Sequence, residues 1–113
     1  MPPRNIYYPY PKALGKKGGS TGKIIGRAMV LESGLGTGDY MRIVDYVNWF
    51  PDNYKEIRFC QFYRKPNGGD QDWIYGQGAG HMSPETFRKL IEKARSSPDY
   101  GTFEGIFDNI VFK

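Results

Sequence analysis

Residues 72–95, DWIYGQGAGHMSPETFRKLIEKAR, decide the reading of this chain, because they join a strand, a glycine-rich turn and a well-signed helix. Ser83 is placed to accept a hydrogen bond from the N–H groups of a first turn. Pro84 suits the first helical position, and Glu85 complements the positive end of the helix dipole. The helix is expected to start at Ser83 or Pro84. Phe87, Leu90, Ile91 and Ala94 then recur at the i, i+3, i+4, i+7 spacing of one apolar stripe, with Arg88, Lys89, Glu92 and Lys93 on the other face. Ser96, Ser97 and Pro98 stop it.

Upstream, three segments read as strands that lead into a fourth at residues 73–75. Residues 23–32, KIIGRAMVLE, carry Gly26 as a bulge or a point of close approach. Residues 40–50, YMRIVDYVNWF, alternate clearly: Met41, Ile43, Val47 and Trp49 share one face, and Tyr40, Arg42, Val44, Tyr46 and Asn48 the other. Residues 56–65, EIRFCQFYRK, put Arg58, Cys60, Phe62 and Arg64 on one face and Ile57, Phe59, Gln61 and Tyr63 on the other. SGLGTGD, PDN and KPNGGDQD read as the turns between these strands, and no helix follows the first, which excludes a dinucleotide loop. After the helix, Phe103, Ile106, Phe107, Ile110 and Val111 have near-helical spacing, but Gly105 and β-branched residues interrupt it. A short strand or turn covering the core is expected there. The expected fold is α+β: an antiparallel sheet of about four strands followed by one packed helix.

A chain of 113 residues suits one domain, with a modest core. Nine tyrosines, 15 glycines and eight prolines point to a β-rich, turn-rich fold with exposed rings. The single cysteine, Cys60, excludes an intrachain disulfide. No signal-like segment and no 18-residue apolar run stand out, so an intracellular protein with no membrane partner is expected.

Charge is uneven. Residues 1–31 hold Arg4, Lys12, Lys16, Lys17, Lys23 and Arg27 with no acid, whereas the remaining 82 residues hold ten basic and twelve acidic groups. A basic arm over residues 1–22, ahead of a domain over residues 23–113, suits a polyanion, since each cation that neutralises a phosphate releases counterions. It equally suits a tail that keeps the protein in solution. Tyr7, Tyr8 and Tyr10 fit base stacking or anchoring of the arm to the body. GSTGKI fails as a phosphate loop, because the spacing from Gly18 to Gly22 is one residue short and Ile24 stands where a magnesium-binding hydroxyl is needed.

Arg58, Phe62 and Arg64, set beside Arg42 and Tyr46 of the neighbouring strand, have the cation-plus-ring make-up that binds single strands. Cross-strand packing with the arginines reaching out to water accounts for the same pattern.

FYRKPNG at residues 62–68 and GHMSPETFRKLIEKA at residues 80–94 resemble the positive cofactor four family of transcriptional coactivators and its bacterial and phage relatives. In that family an aromatic pair precedes a Pro-x-Gly turn, as Phe62, Tyr63, Pro66 and Gly68 do. Its last strand enters the helix in the order shown by Met82, Ser83, Pro84, Glu85 and Phe87. The likeness spans about a third of the chain, and its departures are specific. Cys60 stands where the family carries an arginine, and Trp73, Ile74, Tyr75 and Gln77 stand where it carries lysines. The resemblance implies a homodimer packed through Phe87, Leu90, Ile91 and Ala94 and a sheet that cradles single-stranded DNA.

Catalysis has little to draw on. His81 is the only histidine, and the chain has no Cys-x-x-Cys, no Gly-x-Ser-x-Gly and no metal-ligand pair, so no enzyme, metal or cofactor is expected. Cys60 reads as a buried small hydrophobe. The reading is a binder of single-stranded DNA or RNA with little sequence preference. Lys16, Lys17, Lys23, Arg27, Arg42, Arg58, Arg64 and Lys65 are assigned to phosphates, and Tyr46, Phe62, Trp73 and Tyr75 to bases. The alternative is a protein-interaction or structural subunit, because Tyr, Trp and Arg also dominate protein interfaces.

Overall fold

The computed structural model describes residues 13–17, 20–34, 38–69, 72–76 and 81–112. Their elements are β1 (Ala13–Lys17), β2 (Ser20–Gly34), β3 (Gly38–Phe50), β4 (Tyr54–Arg64), β5 (Ile74–Gly76), α1 (Pro84–Ser96) and β6 (Tyr100–Gly101). The strands form one sheet in the order β1-β2-β3-β4-β5, every pair antiparallel, with β6 also on β2. The α+β class and the helix bounds match expectation, and β2 to β5 are the four strands the sequence predicts.

β1 is an addition, and β6 is the short strand expected after the helix. β1 falls inside the segment read as an arm: Ala13, Leu14 and Lys16 pair with Lys23, Gly22 and Thr21. β3 pairs with β2 along nearly its full length, whereas on the other edge β6 covers only Gly26 and Arg27, so that edge gives these residues ladder partners. Residues 1–12, with Tyr7, Tyr8 and Tyr10, lie outside the described residues. β6 answers the question of the C-terminal segment, which enters as a short strand and then turns over the core.

The crossing of β6 over β2 depends on close backbone approach. The register of β2 shifts between Ile24 and Gly26, and Gly26 faces Gly101. A Cβ on Gly26 would meet the carbonyl oxygen of Thr102 at 2.4 Å, and one on Gly101, where φ is +62°, would meet that of Ile25 at 1.9 Å. Further along this edge side chains replace a strand. Asp99 Oδ2 accepts from Met29 N at 2.7 Å, Lys93 Nζ donates to Met29 O at 2.8 Å, and the two side chains pair at 3.0 Å.

α1 begins as predicted. Ser83 Oγ accepts from Thr86 N at 3.1 Å, and at the other end Ser97 N donates to Lys93 O. Leu90, Ile91 and Ala94 pack on Ala28, Val44 and Tyr46 of the sheet, with Phe103 and Phe107 closing the cluster. Tyr46 and Phe103 stack at 6.0 Å. Phe87 departs from the predicted stripe. It is exposed, and Thr86 is buried in its place.

The opposite face of the sheet is also closed. Met29, Ile43, Cys60 and Trp73 form a second cluster, with Met41 and Phe62 against it. β3 is therefore buried on both faces from Ile43 to Val47, which a two-residue alternation with one wet side does not anticipate. On this second face Asp45 is wholly buried. Arg27 holds it with two bonds, Nε to Oδ1 at 2.7 Å and NH2 to Oδ2 at 2.9 Å, and Arg58 NH2 adds a third at 2.8 Å. The three residues face one another across β2, β3 and β4.

Replacing Asp45 with Ala leaves two arginines at the sheet centre without their shared anion, and a loss of about 3–5 kcal/mol in urea unfolding is expected. The triple replacement Arg27→Met, Asp45→Leu, Arg58→Met strands no charge and should lose much less. Equal losses would show that the ion cluster carries no special burden.

Candidate nucleic-acid interface

Register determines which predicted residues meet. Odd-numbered residues of β3 face even-numbered residues of β4, so Asp39, Met41, Ile43 and Asp45 stand opposite Arg64, Phe62, Cys60 and Arg58. Arg58, Phe62 and Arg64 therefore do share a face, as the alternation predicts, but Arg42 and Tyr46 lie on the other one, opposite Gln61 and Ile57.

Both of those residues are committed to structure. Arg42 bonds Gln61 and reaches Glu32 Oε1 at 3.0 Å, with its guanidinium carbon 4.7 Å from the Tyr40 ring centroid. Tyr46 is 7% exposed. Burial raises its phenol pKa, and the hydrogen bond it gives Glu104 raises it further. Glu104 in turn pairs with Lys55 at 2.8 Å, which ties the C-terminal segment to β4. A ring so enclosed offers no surface to a base.

Arg27 is likewise withdrawn from phosphate contact, being 5% exposed and bonded to Asp45. Trp73 is 5% exposed, and one side of its ring is covered by Arg64, whose guanidinium carbon lies 4.5 Å from the centroid. Lys23 is exposed but lies in register with Asn48, on the helix side. Lys16 and Lys17 belong to β1, and Tyr75 to β5 opposite Phe62; the side chains of all three lie outside the described residues. In the dimer set, Leu90, Ile91 and Ala94 are consumed by the core of their own chain, and Phe87 alone reaches the surface, near Phe59 at 6.0 Å and Phe112 at 6.2 Å.

What remains is a row along β4. Arg58 and Phe62 are partly exposed, and Arg64 follows, held by Asp39 Oδ2 at 2.7 Å. The row runs into the β4–β5 turn. Lys65, Pro66, Asn67 and Gly68 close that turn through Gly68 N to Lys65 O at 2.9 Å, with Asn67 at φ +66°. Proline at the second turn position and a left-handed asparagine at the third are the residues such a turn favours. Gly68 is required by packing. A Cβ there would lie 2.7 Å from Arg64 Cγ, so the turn folds down on the arginine stem that covers Trp73.

Under the turn is an open recess of about 380 Å³, lined by Lys65, Pro66, Asn67, Asp72, Trp73 and Ile74. Asp72 Oδ2 accepts from Gly69 N at 2.7 Å, and Asp72 N donates to Gly69 O at 3.1 Å, which fixes the carboxylate at the recess wall. Asn67 and Asp72 are absent from the set that sequence reasoning chooses. The signal is the Lys-Pro-Asn-Gly turn directly after Arg64, which reads as a mere connection when taken alone.

His81 is exposed at the mouth of α1, and among the described residues no three His, Cys, Asp or Glu side chains gather as a metal site. No described helix is long and apolar enough to cross a membrane.

Two titrations follow from this geometry. Burial, with the Asp45 charge beside it, pushes the Cys60 thiol up to about 12. Native protein at pH 8 should therefore resist a thiol-exchange reagent that reacts at once in urea, since only thiolate attacks. Rapid native reaction would contradict the burial. Glu32 is held below the ordinary carboxyl value, first by the Thr86 hydroxyl at 2.6 Å and further by Arg42, against a burial that raises it. A depressed carboxyl stabilises fully above its unfolded value of about 4.3 and loses that contribution as pH falls through the folded one. Stability should thus fall below about pH 4, and Glu32→Gln should flatten that loss in acid-range urea melts. No family model, no curated protein and no solved structure matches the chain.

Proposed function

We propose that this protein binds single-stranded nucleic acid along the outer end of β4, through Arg58, Phe62, Arg64 and Lys65 and the recess under the β4–β5 turn. The observation that carries the reading is the placement of Arg58, Phe62 and Arg64 on one partly exposed face that leads to the exposed Lys65. The seven residues of strand from Arg58 to Arg64 span roughly 20 Å, enough for several backbone phosphates. Asp45 and Asp39 hold the two guanidiniums in place. Such anchoring lowers the ordering cost of binding and also offsets part of the positive charge. Arg4, Lys12, Lys16 and Lys17 supply the remaining field.

The resemblance to the positive cofactor four family supports the same ligand. A homodimer, also implied by it, would have to form through Phe87, Phe59 and Phe112 rather than through the whole stripe of α1. The exposed rings of Phe59 and Phe87, with Val111 and Ile110 near the C-terminus, favour a second reading in which this face docks another protein.

Salt separates the two. Fluorescence anisotropy with a labelled single strand should show binding that weakens steeply as salt rises, and an apolar protein interface would show little of that dependence. Arg64→Ala with Lys65→Ala should weaken binding at least tenfold and reduce the salt slope by about 0.7 for each phosphate no longer neutralised. Arg58 is left intact in this test, because its removal disturbs Asp45. Absence of binding at low salt would overturn the proposal.

A further inference from the structure

We infer that the recess under the β4–β5 turn seats one unstacked guanine base. The inference rests on the nucleic-acid reading and gives an otherwise sequence-tolerant site one selective position. At about 380 Å³ the recess is at the small end of ligand sites, which run from roughly 300 to 1,000 Å³, so it suits one nucleotide and no stack of several. It also lies where the β4 row ends, at Lys65 directly after Arg64.

The walls divide by chemistry. Pro66 and Ile74 are exposed and apolar and suit the flat face of a base, and the largely buried Trp73 lines the recess beside them. Lys65 places an ammonium at the rim for the adjoining phosphate. Asn67 carries an amide with both donors and an acceptor, and Asp72 carries a carboxylate that only accepts.

The carboxylate decides between bases. On its pairing edge guanine presents two neighbouring donors, N1–H and the N2 amino group, which two carboxylate oxygens can accept side by side. Adenine and cytosine place a ring-nitrogen acceptor next to their amino donor. Thymine and uracil flank their single N–H with two carbonyl oxygens. Each of these sets an acceptor against an acceptor, whereas guanine does not. Guanine O6 and N7 then accept from the Asn67 amide. The bond from Gly69 N to Asp72 Oδ2 holds the carboxylate without exhausting it, because each oxygen has two acceptor positions.

The test measures dissociation constants by anisotropy for four strands of about 15 nucleotides. One is all thymidine, and the other three carry a single central dG, dA or dC. The strand with dG should bind about five- to tenfold tighter than the rest, the lower end of what one bidentate pair provides, since the recess is open to water. Asp72→Asn keeps an oxygen for Gly69 N and so keeps the turn, yet presents an amide donor toward guanine. It should abolish the preference, read within each protein as the ratio of the dG-strand to the all-thymidine dissociation constant, whatever the lost charge does to overall affinity. Equal binding of all four strands by the unaltered protein would overturn the guanine seat and leave the nucleic-acid reading standing. A guanine preference that survives Asp72→Asn would overturn the seat as assigned. No binding of any strand would overturn both.

Discussion

A carboxylate shut away from solvent lies at the middle of the sheet, and three strands have to keep their register for it to stay paired. Asp45 on β3 takes Arg27 from β2 and Arg58 from β4. A slip of one residue in either pairing would turn that strand's arginine to the opposite face and leave the buried anion short of one of its two cations. The net value of such a cluster is small compared with the cost of breaking it, because desolvation cancels much of the attraction and removing one member leaves a bare charge. Its effect is thus on specificity. The apolar pattern of β3 is ambiguous, since Ile43 to Val47 is buried on both sides, and the ion cluster supplies the register that hydrophobicity alone leaves open.

Much of the outcome at β4 follows from that register. With Arg58 opposite Asp45, parity places Phe62 and Arg64 on the same side and Gln61 and Tyr63 on the other. Cys60 falls next to Asp45, where burial and the negative charge both disfavour its thiolate. Arg64 reaches Asp39 and lies on Trp73, and the turn beyond folds over it. Structure at the sheet centre and geometry at its rim are therefore linked by one strand.

The helix is legible in the sequence because its signals are local. Ser83, Pro84 and the spacing of Leu90, Ile91 and Ala94 act within a few turns of chain. Strand positions are legible for the same reason, through alternation. The relation between strands is not. Placing Arg42 beside Arg58 assumes that like parity meets like parity across the turn at residues 51–53, and the ladder from Trp49 and Tyr54 onward pairs odd with even. The bulge between Ile24 and Gly26 shifts parity again on β2, although Gly26 itself marks the spot. Stripe reasoning puts Phe87 inside because it has no knowledge of Glu32, whose carboxylate draws Thr86 inward through a 2.6 Å hydrogen bond. Burial of the second face is hidden because Asp45 and Arg27 read as polar, and only their pairing, completed by the partly exposed Arg58, lets them count as interior.

Closure of both faces bears on where a ligand can bind. An open sheet offers its centre to a nucleic acid strand, and stacking on broad ring surfaces then supplies most of the affinity. Here Tyr46 and Trp73, two of the rings such a platform would use, are spent on the interior. On the β4 face, polar groups that remain accessible lie toward its end and the turn after it, where hydrogen bonds within the turn hold Lys65, Asn67 and Asp72. On the proposed reading, a rim site would contact fewer nucleotides, so its affinity would lean more heavily on charge than on stacking, and an acceptor such as Asp72 beside the phosphates would cost binding unless a base offset it. That cost is the physical reason to expect selectivity at the turn and tolerance along the strand.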